Sequence, residues 1–417
     1  MFDELKKRIL ENEELSVQDF SDVLAVDFPW LLDLKKTEQD EQWHAEGNVH
    51  IHTDMVLTEL YKLIEAETLT ADEVLALVLS ALLHDIAKPR TTKVIERNGR
   101  SCLICPNHEE QGRNYVLLRL LDIGAPAPMA KTVADLVGYH QMPKRLLMRD
   151  MGLAGFALLQ RQVDLKLLYY LELADMRGRE CVDRDEQVEW MEFFKEEVIR
   201  LNLWQGKPYT SWVNKLDEEF STEGEDFCRV ALAKVIRDFE VGKIHSVEEG
   251  IARTYSLKQG YPELILLCGL SGSGKSTWVK SLVDDYEIIS LDEIREELTG
   301  KESNQKKNAQ VVQLAKERLK VALAKKRKVV YDATNLRKDL RQKLLQLAEN
   351  YGAYTEIIFF AKPLKQSKKS NRSRERQVGD GILTHQLDRL QLPEVQESHR
   401  LRYVDKNNEV IYDSLDL

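Results

Sequence analysis

Up to about Arg200, apolar residues recur at three- and four-residue spacing, with Val74, Leu77, Val78, Ala81 and Leu82 forming the strongest stripe. That is the period of a helix with one buried face. Pro89, Asn98-Gly99, Pro106, 124–128 and Pro143 interrupt the pattern, so this part reads as helices separated by turns. Residues 200–255 add amphipathic stretches such as 227–239. After Gln259-Gly260 the texture changes to short β-branched runs at 263–268, 287–290, 328–331, 356–360 and 409–412, alternating with helical stretches. Alternation of that kind predicts a mainly parallel sheet with helices on both faces. The expected organisation is multidomain. An all-α domain covers 1–200, a helical extension or bridging module 201–258, and an α/β domain 259–417.

Composition narrows the class. With 417 residues, 43% of them hydrophobic and 31% charged, the chain is ordinary for a soluble protein of two or three domains. Its apolar runs reach about a dozen residues or fewer, against the roughly 20 that cross a bilayer. The N-terminus, MFDELKKRILENEELS, has neither the apolar run nor the small-residue cleavage site of a secretory signal. Five cysteines give no disulfide framework, which fits a reducing cytoplasm. Charge is uneven: residues 256–417 carry 29 Lys and Arg against 23 Asp and Glu, within a chain of net charge −10. A basic C-terminal part in an acidic chain is consistent with a polyanionic substrate there, although solvated helix faces give the same balance.

The string GLSGSGKS (269–276) follows the candidate strand 263–268 and opens a helix, the context that G-x-x-x-x-G-K-[ST] needs to bind nucleotide phosphates. Gly269, Ser271, Gly272, Ser273 and Gly274 turn backbone N–H groups inward at a helix N-terminus. Lys275 then reaches the β- and γ-phosphates of ATP or another NTP, Ser276 ligates Mg²⁺, and Thr277 lies beside it. Asp292 in SLDEIR (290–295) and Asp332 in VVYDATN (329–335) sit at strand C-terminal ends, the edge that faces ligands in an open α/β sheet. Asp292 is placed to accept a hydroxyl proton. Arg295, one turn on, is placed to hold an acceptor phosphate; Asp332 suits either contact with the water shell of Mg²⁺ or, with Asn335, orientation of the acceptor. Taken alone, Asp292 would read as a helix N-cap. Five cations between Lys368 and Arg376 complete the series as a lid near 362–382.

In that order these motifs resemble the P-loop polynucleotide 5′-kinases, over essentially all of 263–417. The resemblance implies Asp292 as general base on a 5′-hydroxyl, Arg295 on the acceptor's 3′-side phosphate and Arg374 as the lid arginine. The family usually carries a second lid arginine four residues earlier; here Ser370 stands there, with Lys369 and Arg372 adjacent.

A second set of residues lies upstream. His84-Asp85 ends the most apolar helix, and His52, His108, His140 and Asp175 are spread across neighbouring candidate helices. Imidazoles with carboxylates suit Mn, Fe, Co, Ni or Zn better than Mg. The order His, His-Asp, Asp resembles the HD phosphohydrolase superfamily across about 40–180. The strings WHAEGNVHIHT, HDIAKP, NHEE, GYH and ADMRGR look most like the HD domain of some tRNA CCA-adding enzymes. Extra histidines at 108 and 140 fit its binuclear members, in which the Asp of the pair, here Asp85, bridges two metals. Lys88, Arg145, Arg177 and Arg179 are candidates to grip a phosphate, and His44 and His50 are read as loop or supporting groups. Cys102-x-x-Cys105-x-x-His108 offers a structural zinc, weakened by the lack of a second Cys pair.

The two halves together resemble the bacterial bifunctional RNA end-healing enzymes. That implies removal of 2′,3′-cyclic, 2′- or 3′-phosphate ends in the HD half and 5′-phosphorylation in the other. It also implies RNA ends as substrate, with DNA left open, a separate ligase downstream and no membrane; a homodimer is left open as well. The competing enzyme reading is an HD nucleotidase or phosphodiesterase fused to a nucleoside or small-molecule kinase. A regulator that senses nucleotides is the third.

Overall fold

The computed structural model describes residues 1–282, 285–300, 307–372 and 379–417. They fall into two compact units, Met1–Lys207 and Pro208–Leu417.

In the first unit the helix Ala71–Leu83 is the centre. Every residue from Leu75 to Leu83 is buried, so it is apolar all round. A capping box starts it, with Thr70 and Glu73 each satisfying the other's backbone N–H. Val49–Ala66, Ala127–Tyr139 and Leu165–Arg177 pack around it. Asn48 and Asp164 accept from Ile51 and Leu167 N–H and start the first and last of these three. Each buried Leu or Val contributes about 1.5–3 kcal/mol, so this layer fixes where the helix ends lie. One feature departs from the all-helical expectation. Strands β1 (Lys93–Arg97) and β2 (Arg100–Ile104) form an antiparallel hairpin. Asn98 and Gly99, both at positive φ, make the two-residue turn that Asn-Gly favours.

The second unit is built on six strands, β3 (Glu263–Cys268), β4 (Glu287–Ser290), β5 (Lys328–Asp332), β6 (Tyr354–Phe360), β7 (Arg400–Val404) and β8 (Val410–Asp413). Their order is β4-β5-β3-β6-β7-β8, parallel except for the last pair. All of β6 and all but the first residue of β3 are buried, as a sheet covered on both faces requires. Ile265, Leu267, Val330, Ile358, Phe360 and Val404 form one core layer. The segment read as an extension or bridging module divides at 207/208. Its helices Thr210–Glu219, Glu225–Glu240 and Val247–Thr254 belong to the second unit, where Arg237 reaches Glu349 at 2.5 Å and the Gln396 carbonyl at 2.7 Å.

Candidate active sites

Helix ends do most of the positioning in the first unit. His84 closes Ala71–Leu83, His140 closes Ala127–Tyr139 and His108 opens His108–Ile123. His52 and Asp175 come from Val49–Ala66 and Leu165–Arg177. All six predicted ligands are buried and meet at one place. His52 Nε2 lies 3.0 Å from Asp175 Oδ1 and 3.7 Å from Asp85 Oδ2, and His84 Nε2 lies 3.2 Å from Asp85 Oδ2. The other Asp85 oxygen, Oδ1, is 3.3 Å from His108 Nε2. Ligand atoms of His52, His84 and Asp85 fall within 4.8 Å of one another, as do those of Asp85, His108 and His140. Asp85 is the shared member of both triads.

Three of the imidazoles are held the same way. Nδ1 of His84, His108 and His140 sits 2.8, 2.7 and 2.8 Å from the carbonyl three residues earlier, at Ala81, Cys105 and Val137. A carbonyl only accepts, so Nδ1 carries the proton and Nε2 keeps its lone pair for the cluster. Burial, then the nearby His108 and His84, push the His140 pKa down to about 3, leaving the neutral ring a cation needs. Burial opposes charge on Asp85, yet His84 and Lys88 hold its carboxyl well below the ordinary range.

Donor types and geometry fit one or two divalent transition metals. Among the described residues neither buried Asp85 oxygen has a hydrogen-bond partner, although Lys88 Nζ is 2.6 Å from Oδ2. Lys88 compensates the charge at Oδ2, while Oδ1 faces the His108 ring at 3.3 Å and keeps lone pairs that a cation could take. Lys88 Nζ also donates to Gln39 at 2.6 Å. Arg179 pairs with Asp175 and Arg145 with Glu109. The structural-zinc alternative finds no support: His108 faces Asp85, and Cys105 Sγ lies 3.3 Å from the Thr92 hydroxyl.

In the second unit the loop after β3 turns through Gly269, Gly272 and Gly274 at φ of +155°, +82° and +109°. A Cβ on Gly272 would come within 2.5 Å of the Ser367 carbonyl, so only glycine lets the helix Leu364–Arg372 lie against the loop. Lys275 is buried and its Nζ donates to the Gly269 and Leu270 carbonyls, both at 2.8 Å. Ser273 is also buried, while Ser276 and Thr277 are exposed.

Ser290 and Asp332 pair across β4 and β5, which sets the Asp292 turn beside the end of β5. The Ser290 side chain accepts from Glu293 N–H, so Ser290 and not Asp292 is the N-cap. Asp292 instead pairs with the buried Arg295, whose Nη2 reaches Asn308 at 3.3 Å. Asn335 donates to the Leu267 carbonyl at 2.7 Å, and the fully buried Arg341 holds the Asn335 and Leu336 carbonyls at 3.0 Å. The Asn335 amide thus braces the loop to β3, while Asp332 remains at the sheet edge. Arg374 and Arg376 of the expected lid lie outside the described residues.

Comparison with known proteins agrees with this division. Residues 49–175 match the HD domain, and residues 264–393 match the AAA domain. The chain joins an HD domain to a P-loop kinase-like domain. No curated protein matches the chain in sequence. Solved structures with likeness include the Pnkp1/Rnl/Hen1 complex, at 22% identity over 29% of this chain and 42% of that one, TM-score 0.26. Others are the PezAT toxin–antitoxin system of Streptococcus pneumoniae (22% identity, 41% and 81% covered, TM-score 0.29) and a gluconokinase from Sinorhizobium meliloti 1021 (21%, 36% and 86%, TM-score 0.27). Likeness at that level bears on neither substrate nor partner.

Several groups in both domains have no motif to announce them. In the first unit Glu46 lies 2.8 Å from His44 Nδ1 and 2.9 Å from His52 Nδ1, so it stands between the two rings, on the side of His52 away from Asp175. Glu172, one turn before Asp175, is buried, its Oε2 has no partner among the described residues, and burial, then Asp175, hold its carboxyl well above the ordinary range. In the P-loop domain Gln386 accepts from Ser271 N–H and donates to the Ser271 hydroxyl, both at 2.9 Å. Lys362 Nζ bridges the Gly272 carbonyl at 3.2 Å and the Ser370 hydroxyl at 2.8 Å. A lysine therefore stands beside the phosphate loop where Ser370 replaces an expected arginine.

Proposed function

We propose that this chain heals broken RNA. Its HD domain removes 2′,3′-cyclic, 2′- or 3′-phosphate ends, and its P-loop domain transfers the γ-phosphate of ATP, or another NTP, to a 5′-hydroxyl end. The observation that carries the reading is the pairing, in one chain, of a buried six-ligand cluster with a phosphate loop flanked by the Asp292–Arg295 pair.

In the HD domain His52, His84, Asp85 and Asp175 hold one divalent ion, and Asp85, His108 and His140 a second, drawn from Mn, Co, Ni, Zn or Fe. Such ions polarise a phosphoryl group and activate water near neutral pH. Lys88, buried against Asp85, contributes a fixed positive charge to the phosphate, and Gln39 orients it. Arg145 and Arg177 extend the grip outward, while Arg179 keeps Asp175 in place.

In the kinase reaction the 5′ oxygen attacks the γ-phosphorus, its bond to the β-γ bridging oxygen breaks, and the hydroxyl proton passes to Asp292. Lys275 and the N–H groups of 269–274 hold the donor phosphates with Mg²⁺ on Ser276, and Arg374 closes from the lid. Arg295 binds the acceptor's 3′-side phosphate. That phosphate competes with Asp292 for the guanidinium, so acceptor binding releases the carboxylate to act as base. A separate ligase then joins the healed ends.

The ligand set is tested by stripping the protein of metal and restoring one ion at a time. Phosphate release from a nucleoside 2′,3′-cyclic monophosphate or a 3′-phosphate end is expected with Mn, Co, Ni or Zn, and little with Mg. Full release with Mg alone contradicts the assignment.

A further inference from the structure

The second unit holds a groove of about 990 Å³ between the helices Asn308–Ala324 and Lys338–Glu349, with Arg237 on one wall. Five lining residues are Lys or Arg and three are Asp or Glu. Those acids are already matched: Glu397 to Arg341 at 2.8 Å, Glu349 to Arg237 at 2.5 Å and Asp339 to Arg337 at 2.7 Å. Lys338 pairs with Glu394 at 2.8 Å. Lys316, Lys320 and Lys343 have no ion-pair partner among the described residues. Gln313, Lys316 and Lys320 share one helix face by their spacing, and Gln342, Gln346 and Asn350 share another. Three uncompensated ammonium groups among amides fit a chain of phosphates.

Position supports the same occupant. The helix that carries Lys316 and Lys320 starts at Asn308, which accepts from Arg295, the proposed acceptor anchor. Lys316 then lies about 12 Å and Lys320 about 18 Å along the helix axis. A strand with its 5′-hydroxyl at Asp292 has all its remaining phosphates on the 3′ side, and they must leave along some surface. Among the described residues no aromatic side chain lines the groove. It therefore lacks both the anchors of a protein interface and the platforms on which bases stack.

We propose that this groove carries the phosphate backbone of the acceptor strand, downstream of the nucleotide being phosphorylated, without reading its bases. The inference rests on the polynucleotide-kinase reading above. Its test uses the full chain and a K316A/K320A/K343A variant, with a nucleoside 3′-monophosphate, a dinucleotide and a long 5′-hydroxyl oligonucleotide as acceptors. Wild type should show a lower KM for the long acceptor. The variant should raise that KM roughly tenfold or more and leave the two short acceptors unchanged. Each single-strand phosphate contact contributes about 0.7 to the slope of log affinity on log salt, so the variant's slope should fall by about 2. If wild type phosphorylates the 3′-monophosphate but gains nothing from length, or the variant matches wild type on every acceptor, the groove is misassigned and the kinase reading stands. If wild type phosphorylates none of these acceptors, the kinase reading itself fails. Inhibition by polyglutamate as strong as by a blocked oligonucleotide, in wild type and not in the variant, would assign the groove to an acidic protein and overturn the proposal.

Discussion

Arg295 lies buried against Asp292, one turn away on the same helix, and reaches Asn308 at 3.3 Å. In the sequence, an acid at the start of a helix is most simply a cap; the structure gives that task to Ser290 and places Asp292 against Arg295. On the proposed kinase reading, loss of Arg295 removes one charge-assisted contact to the acceptor phosphate, worth about 1.5–3 kcal/mol or roughly ten- to a hundredfold in kcat/KM. Arg295→Ala should therefore erase most of the preference for a nucleoside 3′-monophosphate over the bare nucleoside while ATP affinity holds. Asp292→Ala should lower kcat on every acceptor. Equal use of the two acceptors by wild type would move a nucleoside or small-metabolite kinase ahead. The clustering of His52, His84, Asp85, His108, His140 and Asp175 was legible because a His-Asp pair with four spaced partners of metal-binding type is an uncommon set. Gln39, Lys362 and Gln386 were not, since each contacts a residue distant in sequence; Glu46, only six residues before His52, belongs to no motif that announces it.

At the scale of elements, packing distance sets the HD geometry. Gly178 follows the Asp175 helix, and a Cβ there would sit 2.8 Å from Val56 N and 2.9 Å from Val56 Cα, on the His52 helix. Backbone cannot yield as a side chain does. Gly178→Ala should push the two helices apart at a cost of about 1–3 kcal/mol and loosen the 3.0 Å His52–Asp175 contact. Metal retained after dialysis, measured by elemental analysis, should fall below wild type while 5′-phosphorylation persists; unchanged retention would remove Gly178 as the spacer. Periodicity made the helices readable, and apolar β-branched runs made β3 to β6 readable. It missed β7, where Arg400 and Arg402 alternate with Leu401 and Tyr403. Those arginines are matched by Asp413 and Glu356 on neighbouring strands, partners that the local sequence does not display. The hairpin β1–β2 went unread for a different reason. Asn-Gly marked a break, but the flanking strands are mostly exposed and lack a buried face to give an apolar period.

Across the whole molecule, the six candidate metal ligands lie in the first compact unit and the described residues of the phosphate loop in the second, so two chemistries are expected that can be lost separately. The direct measurement uses one RNA bearing a 5′-hydroxyl and a 2′,3′-cyclic phosphate, incubated with ATP, Mg²⁺ and Mn²⁺. Wild type should deliver a 5′-phosphate and a terminal 2′,3′-diol. Asp85→Ala should leave the 3′ end unhealed and the 5′ end phosphorylated, and Lys275→Ala should do the reverse. A wild-type protein that alters neither end, or folded single variants that each lose both activities, would contradict the central claim.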